Sequence, residues 1–558
     1  MKETEARFLV FLGITDNLLI FRSSSSPNQK KGFRSIICCK LTEMETLASQ
    51  TIGDADRISH LPESIIHSIL DYIHPSHGPP IDIVRMSVLS KTWLNLTASF
   101  PILYFIIDDF SSRESFFKYV EYTTSRFCLQ NVPAQKLTLM ATMSNPAEIT
   151  TIYQSLELLL QKGVQGLVID ITFPDYSSPS NPFPMPKYCL PDILLSVSVL
   201  KYLIIRHTAL PSSLMVDDIK FKSLIQLILC DVPVDDEMIK YLAKSCPLLQ
   251  DLKVLSCDGY QNFCVNGHRN LQQVGIDYNT TLERIDIEAP NLSHLWIQDL
   301  DDRGPPRMNL GSCKKLTAVT YYGYYLPNDF LSNFPFIEYL HLITYDTLNN
   351  LKWSSRSLRA LVLQCDCDLE EIEFNTPNLF VFVYGSLPPN FFEKRRPLSR
   401  HSTNLKSCMR CYPDGWIDAY WFQMLRLFFE KKNGFKPLNL YIQTNQKSIE
   451  LEDLNAIELP PYQLQYVELQ LDTHEEPSAH MAFVDAVLWC CRPRFLTLRS
   501  SFPVTDSQGV IKYICDKLLQ QEDQGRTSIQ FVSRDEGKTI GFMKKDGIQQ
   551  QAKEQSKV

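Results

Sequence analysis

From Leu200 onward, apolar residues recur in strings of the form Leu-x-x-Leu-x-Leu. They stand at Leu200/Leu203/Ile205, Leu224/Leu227/Leu229, Leu249/Leu252/Val254, Leu271/Val274/Ile276, Leu292/Leu295/Ile297, Leu316/Val319/Tyr321, Ile337/Leu340/Leu342, Leu358/Leu361/Leu363 and Leu379/Phe382/Tyr384. Successive strings begin 24, 25, 22, 21, 24, 21, 21 and 21 residues apart. Alternation inside each string predicts a short strand with one buried side. The rhythm predicts a solenoid in which every unit lays one strand beside the last and buries its leucines against its neighbours. Further strings at Leu282/Ile285/Ile287 and Leu369/Ile372/Phe374 fall midway between neighbours and predict a second strand on the return leg of those units. Each precedes a near-repetition, Ala289-Pro290-Asn291-Leu292 or Thr376-Pro377-Asn378-Leu379.

The pattern loosens at both edges. Leu137 and Leu139 precede a stretch over 149–161 whose Ile152, Leu156, Leu159 and Leu160 share one helical face, and Leu167-Val168-Ile169 returns to strand. Later strands are expected at Leu438/Leu440/Ile442, Val467/Leu469/Leu471 and Phe495/Leu496/Leu498, with an amphipathic helix over 483–491. The array is therefore assigned to residues 130–500. Residues 386–436 interrupt the rhythm with Pro388-Pro389 and an aromatic helix over 416–429. Its Trp416, Trp421, Phe422, Leu425, Phe428 and Phe429 are expected to pack inward, the alternative being a binding insertion on one face. Residues 501–558 are read as a C-terminal helix and a frayed tail, and 1–55 as a disordered extension.

A different pattern occupies residues 56–105. Pro62 and Glu63 suit a first helical turn, where proline's missing N–H is not needed and a carboxylate meets the positive helix end. Ile65, Ile66, Ile69, Leu70 and Ile73 then form one stripe on a helix of about three turns. The stretch His74-Pro75-Ser76-His77-Gly78-Pro79-Pro80 ends it. Ile83, Val84, Met86, Val88 and Leu89 predict a second short helix, and Ser90 caps a third bearing Trp93, Leu94 and Leu96. Three short helices carry more large apolar groups than they can hide alone, which calls for a partner.

At this point the sequence resembles the F-box family. The resemblance rests on Ile58-Ser59-x-Leu61-Pro62-Glu63, on the stripe ending Ile69-Leu70, and on Val84-Arg85-Met86-Ser87-Val88-Leu89-Ser90-Lys91-x-Trp93, the last string being of plant type. The loop at 74–80 is longer than the family's usual turn. A period of roughly 20–29 residues with the string above is the leucine-rich-repeat signature. An F-box followed by such repeats resembles the plant-type F-box/leucine-rich-repeat family over residues 56–500. The expected fold is α+β or α/β: a short helical F-box, then a curved repeat solenoid. The resemblance implies that Leu61, Pro62, Ile65, Ile66, Ile69, Leu70, Val88, Leu89 and Trp93 face or support a Skp-type adaptor. It also implies that the adaptor joins a cullin, that the repeat face holds a target protein, and that the chain works in the nucleus or cytoplasm.

Composition narrows the alternatives. At 44% hydrophobic and 21% charged the chain is of globular type, and a net charge of −8 speaks against phosphate neutralisation by a basic face. The run Lys394-Arg395-Arg396 is too short to change that, so no nucleic-acid partner is expected. No run of 18 apolar residues appears, so no membrane span is expected either. Residues 6–42 carry one acid, Asp16, and loosely resemble a transit peptide, but Met44 opens a more ordinary start just ahead of the first motif.

Sixteen cysteines are too sparse for a disulfide scaffold and suit a reducing compartment. Cys408 and Cys411 form a CxxC pair with no second pair at zinc-finger spacing. Phosphate-cradle, metallohydrolase and nucleophile-elbow strings are absent, and His207, His268, His294 and His341 are scattered. Asp235-Asp236-Glu237 and Glu370-Glu371 suit helix starts or turns. The expectation is a non-catalytic receptor without metal or cofactor, its rival a scaffold that binds the adaptor or a partner without degradation.

Overall fold

The computed structural model describes residues 61–73, 83, 86–87, 91–130, 132–173, 188–215, 221–278, 282–299, 305–324, 330–344, 351–365, 372–385, 407–412, 417–431, 435–444, 461–471, 477–500, 509, 512–513, 516, 528–533, 538–545, 548–549 and 553–556. The expected extension at 1–55, the first F-box residues, the loop at 74–80, Trp416 and the basic run at 394–396 lie outside the described residues. The chain divides into two compact units, one built mainly on residues up to Pro233 and the other mainly on residues from Val234.

In the first unit, helices α1 (Glu63–Ile73) and α2 (Lys91–Ala98) precede strand β1 (Ile102–Ile106). Then follow α3 (Arg113–Leu129), β2 (Ala134–Thr142), α4 (Pro146–Gln161), β3 (Val164–Thr172), β4 (Tyr202–Arg206) and β5 (Gln226–Cys230). Strands β1 to β5 pair in chain order, all parallel. The ladder thus begins at β1, ahead of the start at 130 read from the sequence. Partner residues in β1–β2, β2–β3 and β3–β4 (Ile102↔Lys136, Ala134↔Val164, Gly166↔Tyr202) lie 34, 30 and 36 residues apart. In the first two of these units a whole helix fills the return leg.

Helix α3 starts where Ser112 accepts from the Ser115 N–H, and α4 where Asn145 accepts from the Glu148 N–H. Arg113 ties the two starts together, its Nε 3.0 Å from Glu148 Oε1. The inward face expected for α4, Ile152, Leu156, Leu159 and Leu160, is buried.

The second unit opens with α5 (Asp236–Ser245), which shares its last residue with the first unit, and β6 (Asp251–Leu255). The ladder runs from β6 through β8 (Gln273–Tyr278), β10 (His294–Asp299), β12 (Ala318–Gly323), β13 (Tyr339–Thr344), β15 (Ala360–Gln364) and β17 (Val381–Gly385). Between them run return-leg strands that pair separately, β7 (Asn262–Val265), β9 (Arg284–Ile287) and β11 (Arg307–Asn309) in one sheet and β14 (Leu351–Ser354) with β16 (Ile372–Asn375) in another. Strands β9 and β16 are the two expected from the midway strings.

The regular spacing is interrupted over 386–436, as expected, but the ladder itself continues beyond it. Strand β18 (Cys408–Tyr412) pairs with β17 and is followed by α6 (Ala419–Glu430), β19 (Asn439–Thr444), β20 (Tyr462–Leu471), α7 (Pro477–Cys490), β21 (Cys491–Ser500) and β22 (Ser528–Ser533), the strands parallel throughout. Phe422, Leu425, Phe428 and Phe429 of α6 are buried, as expected of core, and the Phe428 ring stacks on Phe382 at 5.6 Å. Residues 528–533, 538–545, 548–549 and 553–556 form strands where a frayed tail was expected. Strand β23 (Lys538–Lys545) turns antiparallel to β22, and β24 (Ile548–Gln549) and β25 (Lys553–Ser556) pair with β23.

Candidate docking and recognition surfaces

The helical module is held by a small core of Ile66, Leu70, Trp93 and Phe100, with Ile83, Met86, Leu96 and Ile102 packed against it. Polar ties join α1 to the end of α2. Ser99 Oγ donates to Glu63 Oε1 at 2.6 Å, and the His67 ring lies 3.3 Å from the Leu96 carbonyl and edge-on to Phe100. Arg126 of α3 donates to the Leu94 carbonyl at 2.6 Å. Since Ile102 belongs to β1, the module shares core with the first strand of its ladder.

The nine residues expected to serve the adaptor divide by the geometry of a helix, on which consecutive side chains point about 100° apart. Ile66, Leu70 and Trp93 face inward and build the module's core. Leu61, Pro62 and Ile65 face outward, Leu61 39% and Ile65 47% exposed. Leu94, 38% exposed, was not among the nine although its string predicted it on the same helix as Trp93. The Ile69 side chain, Val88 and Leu89 lie outside the described residues.

The second surface is made by strand alternation. In β6, Leu252 and Val254 are core, so Lys253 lies on the other face; down the register this column continues Gly275, Trp296, Thr320, His341, Val362, Val383, Arg410, Tyr441, Glu468 and Thr497. In the first unit the matching column is Tyr104, Thr138, Val168, Ile204 and Ile228. At its N-terminal side the Lys136 ammonium donates to Tyr104 Oη at 3.0 Å and lies over that ring.

Turns at the C-terminal strand ends repeat as well. His207, Asp231 and Ser256, the residues just after β4, β5 and β6, take φ of 53°, 53° and 50°. His207 Nδ1 lies 2.8 Å from Asp170 Oδ1 and its Nε2 3.5 Å from Asp231 Oδ2. Burial disfavours the imidazolium, but the Asp170 hydrogen bond and the two carboxylate charges outweigh it and raise the pKa. Ser256 donates its N–H to the Asp277 carbonyl and its Oγ–H to Asp277 Oδ2. Burial pushes the Asp277 carboxyl up to about 6, against the lowering effect of those bonds.

The chemistry of the cysteines is muted. Cys408 and Cys411 stand three apart on β18, which turns their side chains to opposite faces, so the CxxC spacing makes no chelate there. Burial raises the Cys411, Cys490 and Cys491 thiols, Cys490 to about 12, which keeps them protonated. Eleven described cysteines are free thiols, and Cys365 is disulfide-bonded. Among the described residues, no three His, Cys, Asp or Glu side chains converge as metal ligands, and no helix is long and apolar enough to cross a membrane.

Parallel ladders with one strand per unit, return-leg strands or helices, and a leucine core fit a leucine-rich-repeat solenoid preceded by a short helical module. Residues 152–328 match the family model described as FBD-associated F-box protein At5g56370, LRR repeats. From Arabidopsis thaliana, F-box/LRR-repeat protein 25 is 24% identical over 250 residues, 44% of this chain and 86% of that protein. The FBD-associated F-box protein At3g52670 is 27% identical over 266 residues, 46% of this chain and 51% of that protein. The F-box/FBD/LRR-repeat protein At3g52680 is 24% identical over 411 residues, 71% and 73% of the two chains. The family that this chain resembles is thus the plant F-box/leucine-rich-repeat family.

Proposed function

We propose that the chain is the substrate-recognition subunit of a Skp–cullin–F-box ubiquitin ligase. The observation that carries this reading is the outward-facing Leu61, Pro62 and Ile65 beside a helix face already filled inward by Ile66 and Leu70. An apolar face left over after the module's own core is complete is what a partner covers. The module docks on a Skp-type adaptor and through it on a cullin, while the strand faces hold a target protein. Ubiquitin is transferred by a conjugating enzyme recruited elsewhere in the assembly. The chain contributes no catalytic group and no cofactor, only proximity, which raises the target's effective concentration near the activated thioester. Such an assembly works in the nucleus or cytoplasm.

Leu61→Asp with Ile65→Asp tests the docking. Both side chains are exposed, so the double variant keeps its thermal unfolding midpoint within a few degrees and loses co-purification with the adaptor. Retained adaptor binding by the folded variant overturns the docking. Target lifetime separates a ligase from a non-degradative scaffold: the ligase shortens it only with the module intact, and an unchanged lifetime assigns the scaffold.

A further inference from the structure

The last helix of the module ends at Ala98 and the ladder begins at Ile102, so Ser99, Phe100 and Pro101 alone stand between them. Each of the three is engaged. Ser99 Oγ donates to Glu63 Oε1 of α1 at 2.6 Å. Phe100 is buried with Ile66, Leu70 and Trp93. The Pro101 carbonyl accepts from the N–H groups of Gln135 and Lys136 in β2, at 2.8 and 3.3 Å. A second tie runs beside this one: Arg126 of α3, the helix between β1 and β2, donates to the Leu94 carbonyl of α2. A linker free to swing would leave these groups to water.

The join also has a direction. Leu103 and Phe105 are buried in the leucine core, so alternation along β1 turns Ile102 and Tyr104 to the opposite side, the strand face. Ile102 nevertheless packs against the core of the module. Its partner in register, Lys136, donates its N–H to the Pro101 carbonyl and its ammonium to Tyr104 Oη. The interior of the module therefore runs without a break onto the strand face at Ile102, Tyr104 and Lys136.

We propose that docking on the module and recognition on the strand face of the first unit are thermodynamically coupled. The proposal rests on the reading of Leu61, Pro62 and Ile65 as the docking face. A partner that covers those residues holds α1, whose Ile66 and Leu70 share one core with Phe100 and Ile102. The state in which α1 and α2 are ordered is then the state in which β1 is seated beside β2 with Tyr104 and Lys136 paired. Local openings of a folded chain are cooperative across packing shared in this way. Linkage is reciprocal: a target held at Tyr104 and Lys136 tightens the adaptor by the factor by which the adaptor tightens the target. The assembled receptor thus holds a target more firmly than the free chain does.

Hydrogen exchange on the full chain, with and without a purified Skp-type adaptor, reads the coupling. Bound adaptor slows exchange in β1, β2 and α3 about fivefold or more and leaves β13 and β15 unchanged. Trp93→Ala, which empties part of the module's core, speeds exchange in β1 and β2 to a similar extent with no adaptor present. Arg126→Gln cuts the second tie outside that core and shrinks the adaptor's effect on α3 while the adaptor still binds. Exchange in β2 that is indifferent to bound adaptor, or indifferent to Trp93→Ala while α1 and α2 loosen, overturns the coupling and leaves the docking reading standing. An adaptor that does not bind the folded native chain overturns both.

Discussion

His207 is clamped between two carboxylates in a left-handed turn, so its charge state is part of how the ends of β3, β4 and β5 are held together. Its pKa is raised above the ordinary 6.5, with burial opposing and Asp170 and Asp231 prevailing. A raised histidine stabilises fully below its unfolded value and loses that contribution as pH climbs through the folded value. Urea unfolding of His207→Gln is therefore expected to fall less than that of the native chain between pH 6 and 8.5. Equal slopes would remove the clamp from the stability of this unit. Asp277 carries the opposite demand. It is 2% exposed and its carboxyl is pushed up to about 6, so the folded chain holds a proton that the unfolded chain releases near 3.8. Stability then falls as pH rises from about 4 through 6. Asp277→Asn, which can still accept from Ser256, gains about 1–3 kcal/mol at pH 7.5 relative to its effect at pH 4. Denaturation midpoints at the two pH values check it. None of these features was legible in the sequence, because His207 and Asp170 are 37 residues apart and meet only when β3 and β4 pair.

At the scale of elements, legibility followed the length of the apolar string. Strands with a full Leu-x-x-Leu-x-Leu string were placed by spacing alone, and β9 and β16 by their midway strings. Strands β7, β11 and β14 were missed, since Asn262–Val265, Arg307–Asn309 and Leu351–Ser354 are three or four residues long and alternate too briefly to stand out. Helix α6 was legible because its aromatic residues recur at helical spacing, and the inward reading holds for Phe422, Phe428 and Phe429. Phe428 packs against Phe374 and Phe382, from a return-leg strand and a ladder strand, so one helix seals two neighbouring units. Phe428→Ala should destabilise by about 3–5 kcal/mol, measured by chemical denaturation. In the helical module, Leu70→Ala should cost about 2–5 kcal/mol locally, because Leu70 is fully buried among Ile66, Trp93 and Phe100. Its hydrogen-exchange signature would be lost protection in α1 and α2. If protection there is unchanged, the stripe read from the sequence is not what holds the module.

Across the whole molecule, the array was misjudged at its ends for a physical reason. Repeats that return through a helix need more residues than repeats that return through a short strand, so the spacing stretches and the rhythm fades. Paired positions in β17–β18, β18–β19, β19–β20, β20–β21 and β21–β22 (Val381↔Cys408, Cys408↔Asn439, Asn439↔Tyr466, Tyr466↔Phe495, Phe495↔Ser528) lie 27, 31, 27, 29 and 33 residues apart, against 21 across the more regular middle. The charged composition of 523–558 then disguised strands as a tail. Yet a parallel ladder ending at β21 would present its unpaired N–H and C=O groups along ten residues, an edge that invites pairing with other chains. Strand β22 covers that edge, and β23 folds back antiparallel, which no described repeat strand does, so the parallel ladder ends there and the edge passes to the four-residue β25. In a stacked array each unit is stabilised mainly by its neighbour, and the terminal one by whatever caps it. Removing residues 523–558 should therefore do more than trim a surface. The shortened chain is expected to unfold at lower temperature, with hydrogen-exchange protection falling first in β20 and β21, and to scatter light at concentrations where the full chain does not. If the truncated chain keeps its midpoint and stays monodisperse, the last strands are an appendage and the stack is closed at β21 by other means.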